Sequence, residues 1–566
     1  MSRLPVKGIG EKEINASNTG CVSEAKGVVY TKPWVVELIL DLAGYVPERD
    51  LAALYAVEPS VGTGAFLLPM IRRLVDSVNL HGRSFDDMCN ALHAYELDYQ
   101  TAGHAVSLAI IELEQRGVPT DMAMRIADCW VTVGDYLLKS PENQKADFVL
   151  GNPPYIRYDD LSDGVFTAYR HLYPTMSGRC DIYVGFIEAG LRQLSDRGTL
   201  AFICADRWMR SAYGAQLRRL VAEHYSVEVV IEMHDASAFE REVSAYPAVI
   251  VLRQAPQKSV IVASAGTGTG SSPRTRSLAD SLVNLADTGV EDLPGFKATR
   301  VDGWFEGMSP WPAVEPDRLE LLQRLESEFR PLEDERTGTR IGIGVATGND
   351  KVFVTTDATV VEDDRFLPLA MSADTRTGHM KWSGHFLINP WLENGELVDL
   401  ESYPRLRQYF EDHGSQLKAR NIARRRTNDW YRTIDRVKYD LTKRNKLYFP
   451  DMKMMSNPTL DRGLTYPHHN LYYLVSDSWD LEVLGGLLLS RIAQLFIEAY
   501  CVKMRGGTLR FQAQYLRRIR VPEPTSVSEA LAERLRTAFR NRDAEAATKA
   551  AIEAYGISEF AELLGC

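Results

Sequence analysis

The chain has 566 residues, so two or more domains are expected, each long enough to bury a hydrophobic core. Its 45% hydrophobic and 25% charged residues are typical of a soluble globular protein, and neither a membrane-spanning run nor a secretory signal is present. The net charge of −11 excludes a surface that is basic all over, and the seven scattered cysteines indicate neither a zinc site nor a disulfide framework, so a reducing cytoplasm and no metal are expected.

A polar arm, residues 1–26, precedes a predicted amphipathic helix. Thr31 is a residue type that caps helices, Pro33 suits the first helical turn, and Gly44 can end the helix. The residues therefore predict a capped helix between Thr31 and Gly44.

A glycine turn follows the first predicted strand, residues 54–57. The strand ends in an acid, Glu58, and Ser60, Gly62 and Gly64 lie in the turn that opens the next helix. This context favours a nucleoside cofactor lying over the turn at the helix N-terminus. The third glycine of a dinucleotide fingerprint is missing, which disfavours NAD.

A second predicted strand, within residues 92–98, also ends in acids. A carboxylate at this position can accept hydrogen bonds from both hydroxyls of a ribose, and Glu96 is our prediction for that role. Asp98 is the alternative candidate, although it could simply cap the helix expected from Tyr99.

The sequence Asn152-Pro153-Pro154-Tyr155 follows a run of apolar residues typical of a buried parallel strand. Two prolines stiffen the turn, at the sheet edge where open α/β proteins bind ligands. The arrangement suits methyl transfer to an exocyclic amine, whose lone pair is delocalised into its ring. The Asn152 side-chain oxygen and the Pro153 carbonyl would accept hydrogen bonds from the amine, held rigid by Pro154. Tyr155 would stack on a planar substrate; an ordinary proline turn is the alternative interpretation.

Further strands are predicted at 198–205, 227–231 and 246–252. They continue an alternation of strands and helices that runs from residue 54 to residue 254. This pattern predicts an α/β fold with a mostly parallel sheet and helices on both faces.

Together, these motifs resemble those of the gamma-group (TaqI-type) DNA adenine-N6 methyltransferases. Tyr30-Thr31-Lys32-Pro33 resembles motif X, residues 58–64 resemble motif I, and Asn152–Tyr155 resembles the D/N-P-P-Y/F motif. The resemblance implies a Rossmann-like catalytic domain and S-adenosylmethionine as the cofactor. The residues expected to contact the cofactor are Tyr30, Thr31, Glu58, Ser60, Gly62, Gly64, Glu96, Asp135, Tyr136 and Asn152.

The resemblance also implies roles that the residues alone do not give. In the family, Asp135 would bind the amino group of the cofactor's adenine, and Tyr136 would lie against its face. Phe239, before an irregular loop and a final strand, matches motif VIII. It would stack on a flipped-out adenine opposite Tyr155; a core phenylalanine is the alternative.

The second half of the chain carries a basic stretch. Residues 263–276 are predicted to form a flexible loop or linker, and residues 340–353, 504–511 and 515–522 resemble parts of a target-recognition region. Eleven Lys and Arg against three Asp give residues 418–446 a charge of +8, which favours phosphate contacts over a solvated helix face. The candidate DNA-binding residues are Lys418, Arg420, Arg424, Arg425, Arg426, Arg432, Lys443 and Arg444.

The predicted organisation has five parts. They are the arm (1–26), a catalytic domain (27–300), a connecting segment (301–335), an α+β target-recognition domain (336–525) and a helical tail (526–566). The implied partner is double-stranded DNA in a restriction–modification or related defence system, with a separate restriction endonuclease or defence subunits as further partners.

Several alternatives stay open at this point. The NPPY motif alone does not separate adenine N6 from cytosine N4, ribosomal RNA or a protein glutamine amide. The length of the second half favours DNA over protein, and the position of motif X favours DNA over RNA. A bifunctional enzyme that also cuts DNA, and a recognition protein without catalysis, are the remaining hypotheses.

Overall fold

The computed structural model describes residues 29–139, 144–241, 246–266, 275–286, 289–501 and 509–566. The chain divides into two compact units, Met1–Ser309 and Pro310–Cys566. The predicted arm lies outside the described residues, as do parts of the motif VIII loop, of the predicted linker and of the segment 504–511.

A ten-stranded sheet forms the centre of the first unit. In chain order its strands are β1 (Ala56–Glu58), β2 (Leu92–Glu96), β3 (Val131–Val133), β4 (Ala146–Gly151), β5 (Leu194–Ala205), β6 (Ser226–Glu232), β7 (Pro247–Arg253), β8 (Val260–Ala265), β9 (Val290–Leu293) and β10 (Phe296–Val301). Their spatial order is 3-2-1-4-5-7-6-8-10-9. Strands β1 to β5 pair in parallel, and β7 is antiparallel to both of its neighbours. The predicted, mostly parallel sheet is confirmed.

Helices cover both faces of this sheet, as predicted. They are α1 (Pro33–Ala43), α2 (Leu67–His81), α3 (Tyr99–Gln115), α4 (Thr120–Trp130), α5 (Tyr136–Lys139), α6 (Asp163–Leu172), α7 (Tyr183–Gln193), α8 (Arg207–Arg210), α9 (Ala215–His224) and α10 (Thr275–Val283). Phe148 and Leu150 of β4 share a core with side chains from α1, α2 and α3. On the other face α7 packs on β4 and β5, where Gly190 allows Leu200 and Val149 a close approach. Apolar residues on both sides of β4 explain its unbroken hydrophobic run.

Helix α1 ends as expected but begins differently. Gly44 adopts a left-handed conformation (φ 75°) at its C-terminus, and Pro33 occupies the first turn. The N-cap is Lys32, without a side-chain cap, so the expectation that Thr31 caps the helix was wrong. The Thr31 hydroxyl instead accepts a hydrogen bond from a residue far along the chain.

The glycine turn after β1 has the predicted form. Gly62 (φ 54°) and Gly64 (φ 86°) adopt left-handed conformations that a side chain would disfavour, and α2 begins at Leu67. The backbone N–H of Val61 donates to the carbonyl of Tyr95, which ties the turn to β2.

Three further expectations for the first unit need correction. Residues 263–265 complete strand β8, and 275–276 begin helix α10, so neither end of the predicted linker is a loop. Strands β8 to β10, whose apolar and polar residues alternate less clearly, extend the sheet beyond the predicted strands. Cys89 and Cys129 form a disulfide that their spacing did not indicate, because the pairing depends on how α4 packs beside residues 85–90.

The second unit combines mostly antiparallel sheets with helices, an α+β arrangement; only β14 and β19 are paired in parallel within its described strands. Its strands are β11 (Arg330–Pro331), β12 (Arg340–Ile343), β13 (Val354–Thr355), β14 (Phe366–Ala370), β15 (Phe386–Ile388), β16 (Asn445–Pro450), β17 (Met452–Lys453), β18 (Thr459–Arg462), β19 (Tyr466–Pro467), β20 (Leu471–Val475), β21 (Leu509–Arg510) and β22 (Arg520–Val521). Two four-stranded sheets have the orders β12-β20-β16-β18 and β13-β15-β14-β19.

Helices occur along the whole second unit, from near its first residue to near its last. They are α11 (Pro316–Glu328), α12 (Asp350–Phe353), α13 (Pro404–Asp412), α14 (Gly414–Lys418), α15 (Asn421–Arg425), α16 (Tyr439–Lys443), α17 (Leu481–Leu489), α18 (Arg491–Tyr500), α19 (Ala513–Leu516), α20 (Glu529–Asn541) and α21 (Ala544–Tyr555). Helix α11 lies in the predicted connecting segment, and α20 and α21, from the predicted tail, pack with α17. Among the described residues, no single helix is long and apolar enough to span a membrane. The bent helix pair α17–α18 would be long and apolar enough only if both helices are taken together.

Candidate active site

Four predicted site residues lie at one edge of the parallel part of the sheet. Asp135 follows β3, Glu96 ends β2, Glu58 ends β1, and Asn152 follows β4. Because these strands are neighbours in the order 3-2-1-4, the four residues line the edge in that sequence. The connections reverse direction between β1 and β4, which is where open α/β sheets bind their ligands. Glu58 and Asn152 flank this point.

The Asn152 carboxamide is held by the segment before α1. Its Nδ2 donates to the backbone carbonyl of Val29 (3.0 Å) and to the Thr31 hydroxyl oxygen (3.1 Å). Its Oδ1 is buried and has no hydrogen-bond partner among the described residues. The carbonyl oxygen of Pro153 also accepts no hydrogen bond from the described part of the chain. Two neighbouring acceptors are therefore available to a ligand that brings two N–H groups.

Tyr155 and Phe239 lie together, as the motif comparison predicted. Their ring centroids are 6.1 Å apart with an interplanar angle of 84°, and Tyr183 lies 6.4 Å from Tyr155 on another side. Phe239 also packs into the core of the first unit. The perpendicular arrangement is an edge-to-face contact. A planar base could lie between the two rings only if one of them rotated.

Two carboxylates lie next to the glycine turn. Glu96 accepts hydrogen bonds from the backbone N–H groups of Gly62 (2.9 Å) and Asp98 (3.0 Å). Glu58 is buried, and its Oε2 has no partner among the described residues. Burial, aided by the nearby Glu96 carboxylate, raises the pKa of Glu58 well above its ordinary value. A cationic or hydroxyl-bearing ligand would satisfy this pair.

Asp98, the alternative to Glu96, has a structural task. It is the N-cap of α3, and its carboxylate accepts from the backbone N–H (2.8 Å) and hydroxyl (2.9 Å) of Thr101. These hydrogen bonds lower the pKa of Asp98. The geometry therefore favours Glu96 over Asp98 for a ligand contact.

Asp135 is held from two sides. One carboxylate oxygen accepts from the backbone N–H of Leu137 (2.9 Å), and the other accepts from the Tyr169 hydroxyl. Burial raises the pKa of Asp135, and the Tyr169 hydrogen bond opposes that rise. Asp135 is thus fixed in orientation at the end of β3.

The remaining predicted cofactor residues differ in accessibility. Tyr136 is only 2% exposed; its ring packs on Tyr95 and Phe186, and its hydroxyl donates to Gln193. No free face of this ring is left for an adenine, because the core already covers it. The Tyr30 side chain is exposed and Ser60 is half-buried.

Sequence reasoning missed three members of the site. Val29 acts through its backbone carbonyl, which no side-chain pattern can reveal. Tyr169 lies on α6, 34 residues from Asp135, and Tyr183 lies in a helix that reads as core. For Tyr183, the only local signal in the sequence was its position two residues after Asp181, in the segment that follows the NPPY motif.

The basic stretch of the second unit is only partly a free surface. Arg420 donates to the backbone carbonyls of Thr347, Trp430 and Arg432, all within its own unit. Arg444 pairs with Asp477, and Lys446 forms a fully buried ion pair with Asp461 (2.7 Å). These residues therefore stabilise the second unit. The spacing of charged residues in the sequence could not show that their charges are already paired or bound.

Most of the other candidates keep their charge exposed, and Arg432 is the exception. Arg424, Arg425 and Arg426 are exposed at the end of α15 without an ion pair among the described residues, and Lys443 is exposed as well. Lys418 lies over the Trp430 ring (4.7 Å), and Arg432 is half-buried between Asp429 and Trp391. The three consecutive arginines are therefore the strongest candidates for contact with an anionic polymer.

Two groups of possible metal ligands exist among the described residues, Asp206–Glu232–His234 and Asp350–His468–His469. In the first, the Arg210 guanidinium already pairs with both carboxylates. In the second, both Asp350 oxygens already accept hydrogen bonds, from His468 and from Thr347. Two imidazole nitrogens are then left, fewer than the three protein ligands usual at zinc sites.

Similarity to known methyltransferases extends over most of the chain. A model of the Eco57I restriction-modification methylase family matches residues 97–239. The Type II methyltransferase M.PaeR7I of Pseudomonas aeruginosa is 42% identical, over 94% of this chain and 92% of its own length. M.XhoI of Xanthomonas vasicola is 39% identical, over 95% and 98%.

A solved structure has a similar fold. The Type IIL restriction-modification enzyme MmeI, determined in complex with DNA, superposes with a TM-score of 0.57 at 13% identity. The match covers 94% of this chain and 75% of MmeI. The high identity to M.PaeR7I and M.XhoI extends over nearly the full chain. The chain belongs to the type II methyltransferases of restriction–modification systems.

Proposed function

We propose that this protein transfers a methyl group from S-adenosylmethionine to the N6 amine of an adenine that is flipped out of double-stranded DNA. The observation that carries the proposal is the buried, unpartnered Oδ1 of Asn152 beside the carbonyl of Pro153. An unpaired buried acceptor is unfavourable unless a ligand completes it. An exocyclic amine has two N–H groups to donate, one to each oxygen.

These acceptors would act on the reactivity of the amine. Hydrogen bonds from N6 to Asn152 and Pro153 favour a more tetrahedral nitrogen, whose lone pair is then free to attack. Because the acceptors are fixed before the reaction, no reorganisation is needed at that moment. No covalent intermediate with the protein is required for attack by an amine.

The residues at the ends of β1 to β3 fit S-adenosylmethionine, which supplies an electrophilic methyl group when bound. Glu96 would accept the ribose hydroxyls, and Asp135 would accept from the adenine amino group. The unpaired Oε2 of Glu58 would face the methionine part, beside the segment of Tyr30 and Thr31. Gly62 leaves open space over the turn for the cofactor, since a Cβ there would meet no atom within 4 Å.

DNA as the substrate is supported by charge and by relatives. Arg424, Arg425 and Arg426 form an exposed cationic patch on a chain whose net charge is −11. MmeI, which is similar in fold, was determined in complex with DNA. Base flipping follows from chemistry, since N6 of a paired adenine is out of reach inside the duplex. A separate restriction endonuclease would then be the partner enzyme.

Methylation of cytosine N4 is the second candidate, because the same two acceptors could bind that amine. The experiment offers the protein double-stranded DNA, RNA and protein substrates in separate reactions with S-adenosylmethionine carrying a labelled methyl group. Each product is digested enzymatically and analysed by mass spectrometry. We expect the label in N6-methyladenine. Label in N4-methylcytosine would favour the second candidate, and label in RNA or protein alone would contradict both.

A further inference from the structure

We propose that Thr31 is a positioning residue: together with the Val29 carbonyl, it sets the rotation of the Asn152 carboxamide so that oxygen, not nitrogen, faces the target amine. The inference rests on the proposed function, which assigns Asn152 as the acceptor. It adds a task for the segment before α1 that concerns the substrate rather than the cofactor.

The physical problem is that the two ends of a carboxamide have nearly the same shape. One end accepts hydrogen bonds and the other donates two. If Asn152 were rotated by half a turn, its NH2 group would face the N–H groups of the substrate, and two donors would meet. Catalysis by Asn152 therefore needs something that distinguishes the two orientations.

The Val29 carbonyl makes that distinction. It lies 3.0 Å from the Asn152 nitrogen, and a carbonyl oxygen can only accept a hydrogen bond. In the rotated state two acceptor oxygens would lie at this distance. The Thr31 hydroxyl oxygen, 3.1 Å away, accepts from the same nitrogen. Both protons of the NH2 group are thus used, and Oδ1 is left pointing away from them, buried and without a partner among the described residues.

The two acceptors are themselves fixed. The Lys32 N–H donates to the Ala238 carbonyl (2.9 Å), and the Glu240 N–H donates to the Tyr30 carbonyl (3.0 Å). Thr31 pairs with Phe239 in this short antiparallel bridge and is 5% exposed. Because helix α1 begins immediately afterwards at Pro33, the segment has little freedom to shift. The Asn152 carboxamide must therefore rotate to match the two fixed acceptors, because the acceptors cannot move to match the carboxamide.

The test compares Thr31→Val, which keeps the shape but removes the acceptor, with Thr31→Ser, which keeps the acceptor. At saturating S-adenosylmethionine and DNA, we expect Thr31→Val to slow single-turnover methylation by about tenfold, the range for removal of one hydrogen bond. Thr31→Ser should stay within about threefold of the parent. Thr31→Ala is the substitute if the valine variant does not fold.

A second measurement does not depend on activity. Amide exchange of the Asn152 side chain is followed by NMR in deuterated protein with 15N-labelled asparagine, without DNA or cofactor, and the signal is assigned by its absence in Asn152→Ala. One of the two protons should exchange faster in Thr31→Val than in the parent and in Thr31→Ser. The proton bonded to Val29 should keep its protection.

Two results would overturn the inference. One is unchanged exchange together with unchanged single-turnover rates in Thr31→Val. The other is a defect confined to cofactor affinity, with a normal rate at saturating cofactor. Failure of the proposed function is distinguishable, because Asn152→Ala would then methylate DNA as fast as the parent, whatever happens at Thr31.

Discussion

At the level of single residues, the candidate site contains three polar atoms that are unpaired in the described part of the chain. The Oε2 of Glu58, the Oδ1 of Asn152 and the hydroxyl of Tyr155 are all buried without partners among the described residues. Each such atom costs about 1–3 kcal/mol of desolvation, which bound ligands can return. All three lie at the ends of β1 and β4, where a ligand bound at this edge of the sheet could pair with them.

The first prediction for a single residue concerns Glu96. Glu96→Ala should weaken S-adenosylmethionine binding by about 1–3 kcal/mol, since the ribose hydroxyls and the Gly62 N–H would no longer have their acceptor. Calorimetry measures this affinity directly. Asp98→Ala is the matched control: it removes a helix cap, so it should lower the free energy of unfolding by about 1 kcal/mol while cofactor affinity stays near that of the parent. The reverse pattern would transfer the ribose contact to Asp98.

Glu58 gives a prediction about pH. Its pKa is raised in the folded protein, so the folded state binds a proton more readily than the unfolded state. Its contribution to stability is complete below the ordinary carboxyl pKa and is lost as pH rises through the raised value. Glu58→Gln should therefore make the cofactor-free protein more stable near neutral pH, and flatten the decline of its Tm with rising pH. An identical pH profile in parent and variant would contradict this.

Among the secondary-structure elements, the site depends on the pairing of residues 30–32 with residues 238–240. This bridge brings the segment before α1, the NPPY turn and the aromatic ring of Phe239 to one place. The connections join positions more than 120 residues apart, as in the hydrogen bond from Asn152 to Thr31. A change in any one of the three segments is therefore expected to affect the other two.

Phe239, on one of these paired segments, provides a test of base stacking. Phe239→Ala should slow methylation of a paired adenine more than that of a mismatched one, because extrusion of the paired base needs more compensation from stacking, about 1–3 kcal/mol per ring. A 2-aminopurine at the target position should also change its fluorescence. Phe239→Leu fills most of the volume without an aromatic face, so it separates stacking from packing. Equal rate ratios in all three proteins would make Phe239 a core residue only.

The basic stretch permits a matched pair of tests. Replacing Arg424, Arg425 and Arg426 by Ala should flatten the salt dependence of DNA binding, and the log–log slope should fall by about 0.9 for each phosphate that an arginine no longer neutralises. Arg420→Ala should instead lower Tm, because it removes the guanidinium hydrogen bonds to four backbone carbonyls. An unaltered slope in the triple variant would exclude this patch from the DNA interface.

These elements also show what the sequence could predict. Strands β2 and β4, the glycine turn and the end of α1 follow from local patterns, and the structure confirms them. The hydrogen bond between Asn152 and Thr31 and the burial of Lys446 could not be predicted from the sequence, because both depend on partners brought together by folding. Tyr136 shows the converse: its motif position suggested a ligand contact, yet the packing of Tyr95 and Phe186 encloses it.

Across the full chain, the candidate active site and the candidate DNA-binding residues lie in different units. The first carries the candidate active site, and the second carries the exposed arginines. The family model covers residues 97–239 of the first unit, whereas the similarity to M.PaeR7I covers 94% of the chain. Both units are therefore part of the sequence that the family shares. An acidic chain with a local cationic patch should bind DNA in one orientation, since repulsion disfavours the others.

The proposed activation of an exocyclic amine of DNA by Asn152 can be tested by single-turnover methylation. Parent and Asn152→Ala are compared at saturating labelled S-adenosylmethionine and double-stranded DNA, with cofactor affinity measured separately. We expect the variant to bind cofactor within a few-fold of the parent and to form N6-methyladenine about 100-fold or more slowly, as for removal of one preorganised polar group. An equal rate of N6-methyladenine formation in the two proteins would contradict the proposed role of Asn152.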